Sequence, residues 1–354
     1  MFETGLAQDL EDLRPLIARL AAADYPHAGA LGRWTATRVP RGRNNLVYRL
    51  DAGPRSVAVK FTIVDARDRA GREYGAMLAL AQAGLDIAPR PLGLIQDGLQ
   101  HPAVVETWLA GPVSDEPPTI DGEWEQLVRH LAQIHRVTPE SCAVSLPAAV
   151  LTMTGTVSGL AAVTAEVERL RPSGVPQEIA GLVRRMTAAP LPDVIGTAQC
   201  LCRCDTNIAN FVRFAGGWAS VDWEHAGWGD AAFELADLML HPAHQAVPPS
   251  RWLRVAEAYA ACHDDQGLLA RAEVYEVLMG CWWAARFTRM SIGPEPDRLS
   301  DLHRRPAHWP ANVATWCALT NSSTASPART DPGPRLRDIC LTAVLDGHAG
   351  GRCS

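Results

Sequence analysis

The chain has 354 residues, of which 47% are hydrophobic and 20% are charged, so it can pack as one large two-lobed domain or as two ordinary domains. Its formal net charge of −6 disfavours non-specific binding to nucleic acids or anionic membranes, and no stretch approaches the roughly 18 apolar residues of a membrane span. The acidic, amphipathic N-terminus has no apolar signal core, so we expect a cytoplasmic protein without nucleic-acid or membrane partners.

The N-terminal part of the sequence predicts a helix followed by strands. Residues 7–23 have apolar side chains at helical spacing, although Pro15 could split or kink this helix. Alternation over residues 34–50 predicts two strands around a turn at residues 40–45, which has one glycine, Gly42. Taken alone, this turn is typical of an ordinary hairpin.

The next predicted strand contains the only lysine of the chain. Of 33 basic residues, Lys60 is the single lysine and all the others are arginines. Val57, Val59 and Phe61 alternate with it, so the strand carries Lys60 on the face opposite to these apolar side chains. A lysine ammonium is a compact point charge, whereas a guanidinium is a broad planar fork. The use of lysine here favours a narrow phosphate-contacting site over an accidental surface position.

A long helix and two strands follow. Residues 65–83 show helical periodicity and carry two acids, Asp68 and Glu73, that could pair with the lysine. Two strand-like runs joined by a polar turn come next, at residues 90–95 and 103–109. Gly-Pro and Pro-Pro pairs then mark a boundary in the chain.

From residue 122 onward the sequence is mainly helical. Apolar side chains recur at helical spacing in five segments, at residues 124–134, 160–170, 179–186, 251–262 and 268–290. His135 follows the first segment, and we expect a structural role for it at a helix end. From Thr320 the chain is rich in serine, threonine, proline and glycine, which predicts a poorly ordered tail.

Residues 200–240 combine three oxygen-bearing side chains at defined spacing. Asp205 lies in a turn after a short apolar run, and Asn210 follows five residues later. A hairpin-like segment at 211–221 then leads to Asp222 at the end of its second strand. Mg²⁺ prefers one or two protein oxygen ligands together with substrate phosphates, which suits Asn210 and Asp222. The combination predicts phosphoryl transfer, with Asp205 near a reacting hydroxyl.

The same stretch begins with closely spaced cysteines. Cys200, Cys202 and Cys204 form a C-x-C-x-C run, and alternating cysteines on a strand would share one face. No second cluster completes a set of four metal ligands. The nine cysteines of the chain are an odd count without framework spacing, which is typical of reduced thiols. We therefore expect buried or half-exposed thiols here rather than a metal site.

A family resemblance rests on three short patterns, Asp205-x-x-x-x-Asn210, Val221-Asp222-Trp223-Glu224 and Gly229-Asp230. They resemble the aminoglycoside phosphotransferase and choline kinase-like family, over about residues 34–290. This resemblance implies an α+β, two-lobed protein kinase-like fold. Its expected regions are a small nucleotide-binding lobe with an antiparallel sheet and a helix at 1–109, a larger, mainly helical catalytic and acceptor-binding lobe at 110–319, and a disordered tail at 320–354.

The resemblance implies a role for each matching residue, with ATP and Mg²⁺ as cofactors. Asp205 would be the catalytic base, and Asn210 and Asp222 would hold Mg²⁺. Lys60, held by Glu73, would contact the phosphates of ATP.

Three more residues would contact the nucleotide. Asn45 ends the turn that would cover the phosphates, and the backbone around Glu106 and Thr107 would form hydrogen bonds with the adenine edge. We favour Glu73 over Asp68 as the partner of the lysine because of its place in the helix.

Two features depart from the family pattern. Arg203 stands where the family has a histidine, and the turn expected over the phosphates has only one glycine. We interpret Arg203 as holding the catalytic loop through several donors, or as contacting phosphate directly. Glu224 would lie on the same face as Asp222 if the strand continued.

These departures favour an alternative, a nucleotide-binding pseudokinase that serves as a scaffold. The presence of all four groups that the chemistry requires favours an enzyme instead. The small-molecule hydroxyl acceptor stays open between an aminoglycoside-like compound, an amino alcohol such as choline, and another small metabolite. The choice between a monomer and a homodimer is open as well.

Overall fold

A computed structural model describes residues 2–40, 45–113, 116–171, 174–188, 191–196, 199–214, 217–244 and 246–292. Most of the turn at 40–45, including Gly42, and the tail predicted at 320–354 lie outside the described residues. Packing divides the described chain into two compact units. The first contains Met1–Val150 and Cys200–Trp228, and the second contains Leu151–Gln199 and the described part of Gly229–Pro296. Every predicted site residue belongs to the first unit, and the lobe boundary at residue 109 stays a prediction.

Six strands in the described part of the first unit form one antiparallel sheet. In chain order they are β1 (Ala28–Leu31), β2 (Trp34–Arg38), β3 (Leu46–Ala52), β4 (Arg55–Phe61), β5 (Pro91–Ile95) and β6 (Ala103–Thr107). Their spatial order is β1-β2-β3-β4-β6-β5, with every neighbour antiparallel. Gly53 has a φ of 61° between β3 and β4, which glycine adopts without the steric cost of a side chain.

The helix α1 (Phe2–Ala22) packs on one face of this sheet. It is one helix with Pro15 inside it. The inward side chains of α1 share a hydrophobic core with alternate residues of the strands. The helix contributes Leu13, Leu16, Ile17 and Leu20, and the strands contribute Tyr48, Leu50, Val57, Val59, Phe61 and Val105. Burying one such leucine or valine contributes about 1.5–3 kcal/mol, so this core anchors the strand that carries Lys60.

The helix α2 (Arg69–Gln82) packs against β5 and β6. It begins four residues later than predicted because Asp68 caps it, with its carboxylate accepting a 3.3 Å hydrogen bond from the Gly71 N–H. Lys60 and Glu106 lie on neighbouring paired strands, on the face opposite to the core shared with α1. The sheet therefore places both side chains on the same face.

The remaining described residues of the first unit form one α-helix and several short strands. These are α3 (Asp121–Ile134), β7 (Cys200–Cys202), the hairpin strands β8 (Phe211–Phe214) and β9 (Gly217–Ser220), and β10 (Gly227–Gly229), where the chain passes into the second unit. A 3₁₀ turn, Ile208–Asn210, precedes the hairpin. The predicted antiparallel hairpin before Asp222 is confirmed.

The second unit is helical in its described residues. It contains α4 (Thr156–Glu168), α5 (Gln177–Ala188), α6 (Ala231–Leu240), α7 (Pro249–Ala260) and α8 (Leu268–Ile292). Both α4 and α6 pack on α8. Asp230 caps α6 and is held by Arg271 and Tyr275 of α8. None of the helices in the described ranges is long and apolar enough to cross a membrane.

The predicted α+β class is confirmed, with an antiparallel sheet in the N-terminal region and helices in most of the rest. The strand β1 was not predicted from the sequence. Its residues are mostly exposed, so they show no apolar alternation, and pairing with β2 defines the strand instead.

Candidate active site

The centre of the candidate site is the ion pair between Lys60 on β4 and Glu73 on α2. The Lys60 Nζ lies 2.6 Å from Glu73 Oε2, and the side chains are 6% and 0% exposed. The strand alternation turns Lys60 towards α2, and Glu73 lies on the buried side of that helix. The predicted choice of Glu73 over Asp68 agrees with this geometry, since Asp68 caps the helix instead.

Asp222 is the second acid on the lysine. Its Oδ1 accepts a short hydrogen bond from Lys60 Nζ. Asp222 has a φ of 64°, a left-handed conformation that is uncommon for a residue with a side chain. The fully buried Trp223 donates from its indole N–H to the Ser220 carbonyl at 2.9 Å, which closes the sharp turn around Asp222. This turn directs the carboxylate to the lysine.

Charge in this cluster is not balanced by the lysine alone. Burial by itself would lower the pKa of Lys60, but Asp222, Glu73 and Glu224 outweigh it and raise the pKa above its ordinary value, so the ammonium stays charged. Burial, together with the negative charge of Asp222, raises the pKa of Glu73 to about 7 despite the lysine. Burial also raises the pKa of Asp222. Arg69 supplies a second positive charge through its ion pair with Glu224, so two cations face the three carboxylates Glu73, Asp222 and Glu224.

A backbone hydrogen bond links Asn210 to Val221, the residue before Asp222. The Val221 N–H donates to the Asn210 carbonyl at 2.9 Å, and the 3₁₀ turn that ends at Asn210 is capped by Asn207. Among the described residues, the buried Asn210 Nδ2 has no hydrogen-bond partner. Mg²⁺ takes oxygen ligands, so the side-chain oxygens of Asn210 and Asp222 fit this ion, and these two residues would hold it.

Asp205 precedes this turn in the same loop. Its Oδ1 accepts a 3.2 Å hydrogen bond from the Asn207 N–H, which orients the carboxyl group. The negative charge of Asp205 contributes to the raised pKa of Asp222, so the two acids are close in space. The structure brings Asp205, Asn210, Asp222, Lys60 and Glu73 into one region of the first unit, and their roles stay predictions.

Arg203 holds the loop of Asp205 in place from within the protein core. Its guanidinium lies over the rings of Phe211 and Trp223, 4.8 Å and 4.7 Å from their centroids. Its Nη2 donates to the carbonyl of Asp205 at 3.2 Å and to that of Val221 at 3.0 Å. Arg203 is fully buried. Through this one nitrogen, Arg203 bridges the loop of Asp205 to the backbone that leads into Asp222.

Asn45 contacts a carboxylate in this structure. Its Nδ2 donates to Glu224 Oε2 at 2.7 Å, and Arg69 Nη1 donates to Glu224 Oε1 at the same distance. Burial would raise the pKa of Glu224, but Lys60, His225 and Arg69 lower it to about 2. The predicted contact of Asn45 with the nucleotide stays a prediction. Sequence reasoning missed Arg69 because nothing in the helix pattern separates it from the nearby arginines Arg67 and Arg72.

Glu106 and Thr107 lie on β6, near the lysine. The buried Glu106 carboxyl has an oxygen, Oε2, without a hydrogen-bond partner in the described ranges. Burial, together with the charge of Glu73, raises its pKa well above the ordinary value. The Thr107 N–H donates to the Arg90 carbonyl at 3.0 Å and the Trp108 N–H donates to Ser56, so these two N–H groups are not available to a base. The predicted contact with adenine stays a prediction.

Comparison with solved structures places the fold in a known group. A choline/ethanolamine kinase family protein from Mesorhizobium loti is 18% identical, with a TM-score of 0.56, covering 95% of this chain and 100% of its own. Spectinomycin phosphotransferase APH(9)-Ia, solved with ADP and spectinomycin, is 14% identical, with a TM-score of 0.54 and coverage of 94% and 98%. A choline kinase from Cryptosporidium parvum Iowa II is 8% identical, with a TM-score of 0.58 and coverage of 86% and 94%. The chain has the kinase-like fold of these neighbours.

The family itself is shown by the sequence. Among curated proteins, no sequence matches this chain. The model of the phosphotransferase enzyme family matches residues 35–275, which is well over half of the chain and includes every predicted site residue. The chain belongs to the phosphotransferase enzyme family.

Proposed function

We propose that the protein is an ATP- and Mg²⁺-dependent phosphotransferase. It moves the γ-phosphoryl group of ATP to a hydroxyl group of a small molecule, either an aminoglycoside-like compound or an amino alcohol. The observation that carries this proposal is the buried Lys60 ammonium, which contacts both Glu73 and Asp222. The structural neighbours support it, because they include a phosphotransferase solved with ADP and spectinomycin and a choline kinase.

Each residue then has a distinct task in the reaction. Lys60, oriented by Glu73, binds the phosphates of ATP through its ammonium group. Asn210 and Asp222 would hold Mg²⁺ through their side-chain oxygens, and the ion would supply positive charge to offset the charge that develops on the transferred group. Asp205 orients the acceptor hydroxyl and takes its proton as the new O–P bond forms and ADP leaves. A carboxylate suffices as the base because the proton departs late in a loose transition state.

The negative charge of the protein and of the site also favours an acceptor with a positive charge. The net charge of the chain is −6, and Asp205 lies close enough to Asp222 that its charge adds to the effect of burial in raising the pKa of Asp222. Such a field attracts cations, which agrees with a polycationic aminoglycoside-like compound or a quaternary amino alcohol as acceptor.

The test is ADP release with ATP and Mg²⁺ across a panel of aminoglycosides, amino alcohols, sugars and nucleosides. We expect an acceptor-dependent rate that falls by about 10²–10⁴-fold or more in Asp205→Ala, with nucleotide binding retained. Asp97→Ala, which changes an exposed aspartate between β5 and β6, is the matched control and should keep the rate.

Two outcomes would contradict the proposal. An acceptor-dependent rate that survives unchanged in Asp205→Ala would remove the assignment of the base. Mg²⁺-dependent nucleotide binding without turnover on any acceptor would favour the alternative, a nucleotide-binding scaffold without catalysis. The cytoplasmic location and the choice between monomer and homodimer stay predictions.

A further inference from the structure

Three side chains that can act as ligands of a soft metal ion lie together at the end of α3 and on β7. His135 is the residue at the C-terminal end of α3. The Leu201 N–H donates to the Val137 carbonyl at 2.8 Å, which fixes β7 beside the segment that follows the helix. Cys200 and Cys202 flank Leu201 on β7, so their side chains lie on the same face of the strand. The fold thus places a histidine beside two of the cysteines, a further ligand that the sequence pattern did not reveal.

The separations within this cluster suit coordination better than a disulfide. The sulfur atoms of Cys200 and Cys202 are 3.7 Å apart, far beyond the roughly 2.05 Å of a disulfide bond. Two thiolates that each lie about 2.3 Å from one zinc ion at a tetrahedral angle are about 3.8 Å apart. The ligand atoms of His135, Cys200 and Cys202 all lie within 4.8 Å of one another.

The burial of these three side chains limits which metal ions could bind there. The three residues are 6%, 6% and 0% exposed for His135, Cys200 and Cys202, so a hard cation that keeps a shell of water does not suit this position. Thiolate and imidazole ligands favour soft ions such as Zn²⁺ and Cu⁺. Two thiolates also cancel the charge of Zn²⁺ or exceed that of Cu⁺ by one, which reduces the cost of burying the ion.

We propose that His135, Cys200 and Cys202 bind one soft metal ion, Zn²⁺ or Cu⁺, through two thiolates and one imidazole nitrogen. On binding, each thiol releases its proton to solvent and its sulfur donates an electron pair to the ion, with no change of oxidation state. The ion ties β7 to the end of α3, and Cys202 lies three residues before Asp205. This role is structural and independent of the proposed phosphoryl transfer.

The first experiment uses the full-length wild-type chain without a histidine tag. Zinc and copper per chain are measured by inductively coupled plasma mass spectrometry after purification, and the metal-free chain is then titrated with Zn²⁺, Cu⁺ and Co²⁺. We expect one ion per chain and, with Co²⁺, the near-ultraviolet charge-transfer absorption of thiolate ligands. Titrations that show no stoichiometric binding of any of these ions would overturn the proposal without the need for a variant.

The second experiment assigns the ligands. Cys200→Ser, Cys202→Ser and His135→Gln should each weaken metal binding by at least about tenfold. Two control substitutions should leave it unchanged. Cys204→Ser changes the third cysteine of the run, which is not in the cluster, and Cys281→Ser changes a buried cysteine of the second unit. Full metal retention in the Cys200→Ser and Cys202→Ser variants would overturn the assignment, and circular dichroism would identify any variant that fails to fold.

Discussion

The Lys60 ammonium lies 2.6 Å from the Glu73 carboxylate, and both side chains are almost completely buried. Few orientations are open to a charged side chain in such a place, because every alternative leaves a buried charge unpaired. The pair therefore fixes the direction of the lysine before any nucleotide binds. Asp222 contacts the same ammonium, so the lysine also connects the sheet to the turn that follows the hairpin.

Lys60→Arg keeps the positive charge but should abolish most activity. The planar guanidinium needs more room than the ammonium and cannot face Glu73 and Asp222 in the same buried space. We expect turnover to fall by about 10²-fold or more, measured as acceptor-dependent ADP release, while circular dichroism stays native. The matched control is Arg55→Lys, an exposed position at the start of the same strand. A fully active Lys60→Arg variant would contradict the special role of the lysine.

Glu224 should make stability depend on pH in the acidic range. Its pKa is lowered from about 4.5 to about 2, so the folded state binds fewer protons than the unfolded state between these values. The stabilisation by Glu224 is complete above about pH 4.5 and is lost as the pH falls towards about 2. Thermal unfolding of the wild type and Glu224→Gln, compared at several pH values, measures this difference. The melting temperatures should converge as the pH is lowered, and a constant difference would contradict the assignment.

Arg203 should contribute to both stability and turnover. Arg203→Met removes two hydrogen bonds from a charged donor and two ring contacts, so we expect a loss of about 2 kcal/mol or more in the free energy of unfolding, measured in urea. Arg203→Lys keeps the charge without the planar group and should recover only part of this loss. Because Arg203 positions the loop of Asp205, the kcat should fall more than the KM for ATP rises. A lysine variant as stable and active as the wild type would show that the planar group is dispensable.

Asn210→Ala should raise the Mg²⁺ requirement. The amide would supply one of the ligands, so its loss should increase the Mg²⁺ concentration for half-maximal nucleotide binding by about tenfold, measured by thermal shift. Excess Mg²⁺ should restore part of the binding. Asn207→Ala removes the cap of the same 3₁₀ turn and serves as the control, because it should lower stability without a comparable change in the Mg²⁺ requirement. Equal Mg²⁺ dependence in the wild type and Asn210→Ala would remove Asn210 from the metal site.

Local patterns in the sequence determined much of the fold and the identity of the central residues. Alternation over Val57, Val59 and Phe61 was sufficient to place Lys60 on the opposite face of β4, because successive side chains of any strand point to opposite sides. Helical periodicity likewise placed Glu73 on a helix that follows this strand. The spacing from Asp205 to Asn210 and Asp222 predicts phosphoryl transfer, and one loop and one hairpin carry all three residues.

The tertiary structure alone decided which distant side chains meet. Asn45 contacts Glu224, Arg203 lies between Phe211 and Trp223, and no periodicity in the sequence specifies these pairs. The meeting of His135 with Cys200 and Cys202 is of the same kind. The physical reason is that local patterns determine which face of an element is buried, whereas the partner of a buried polar side chain depends on how the elements pack together.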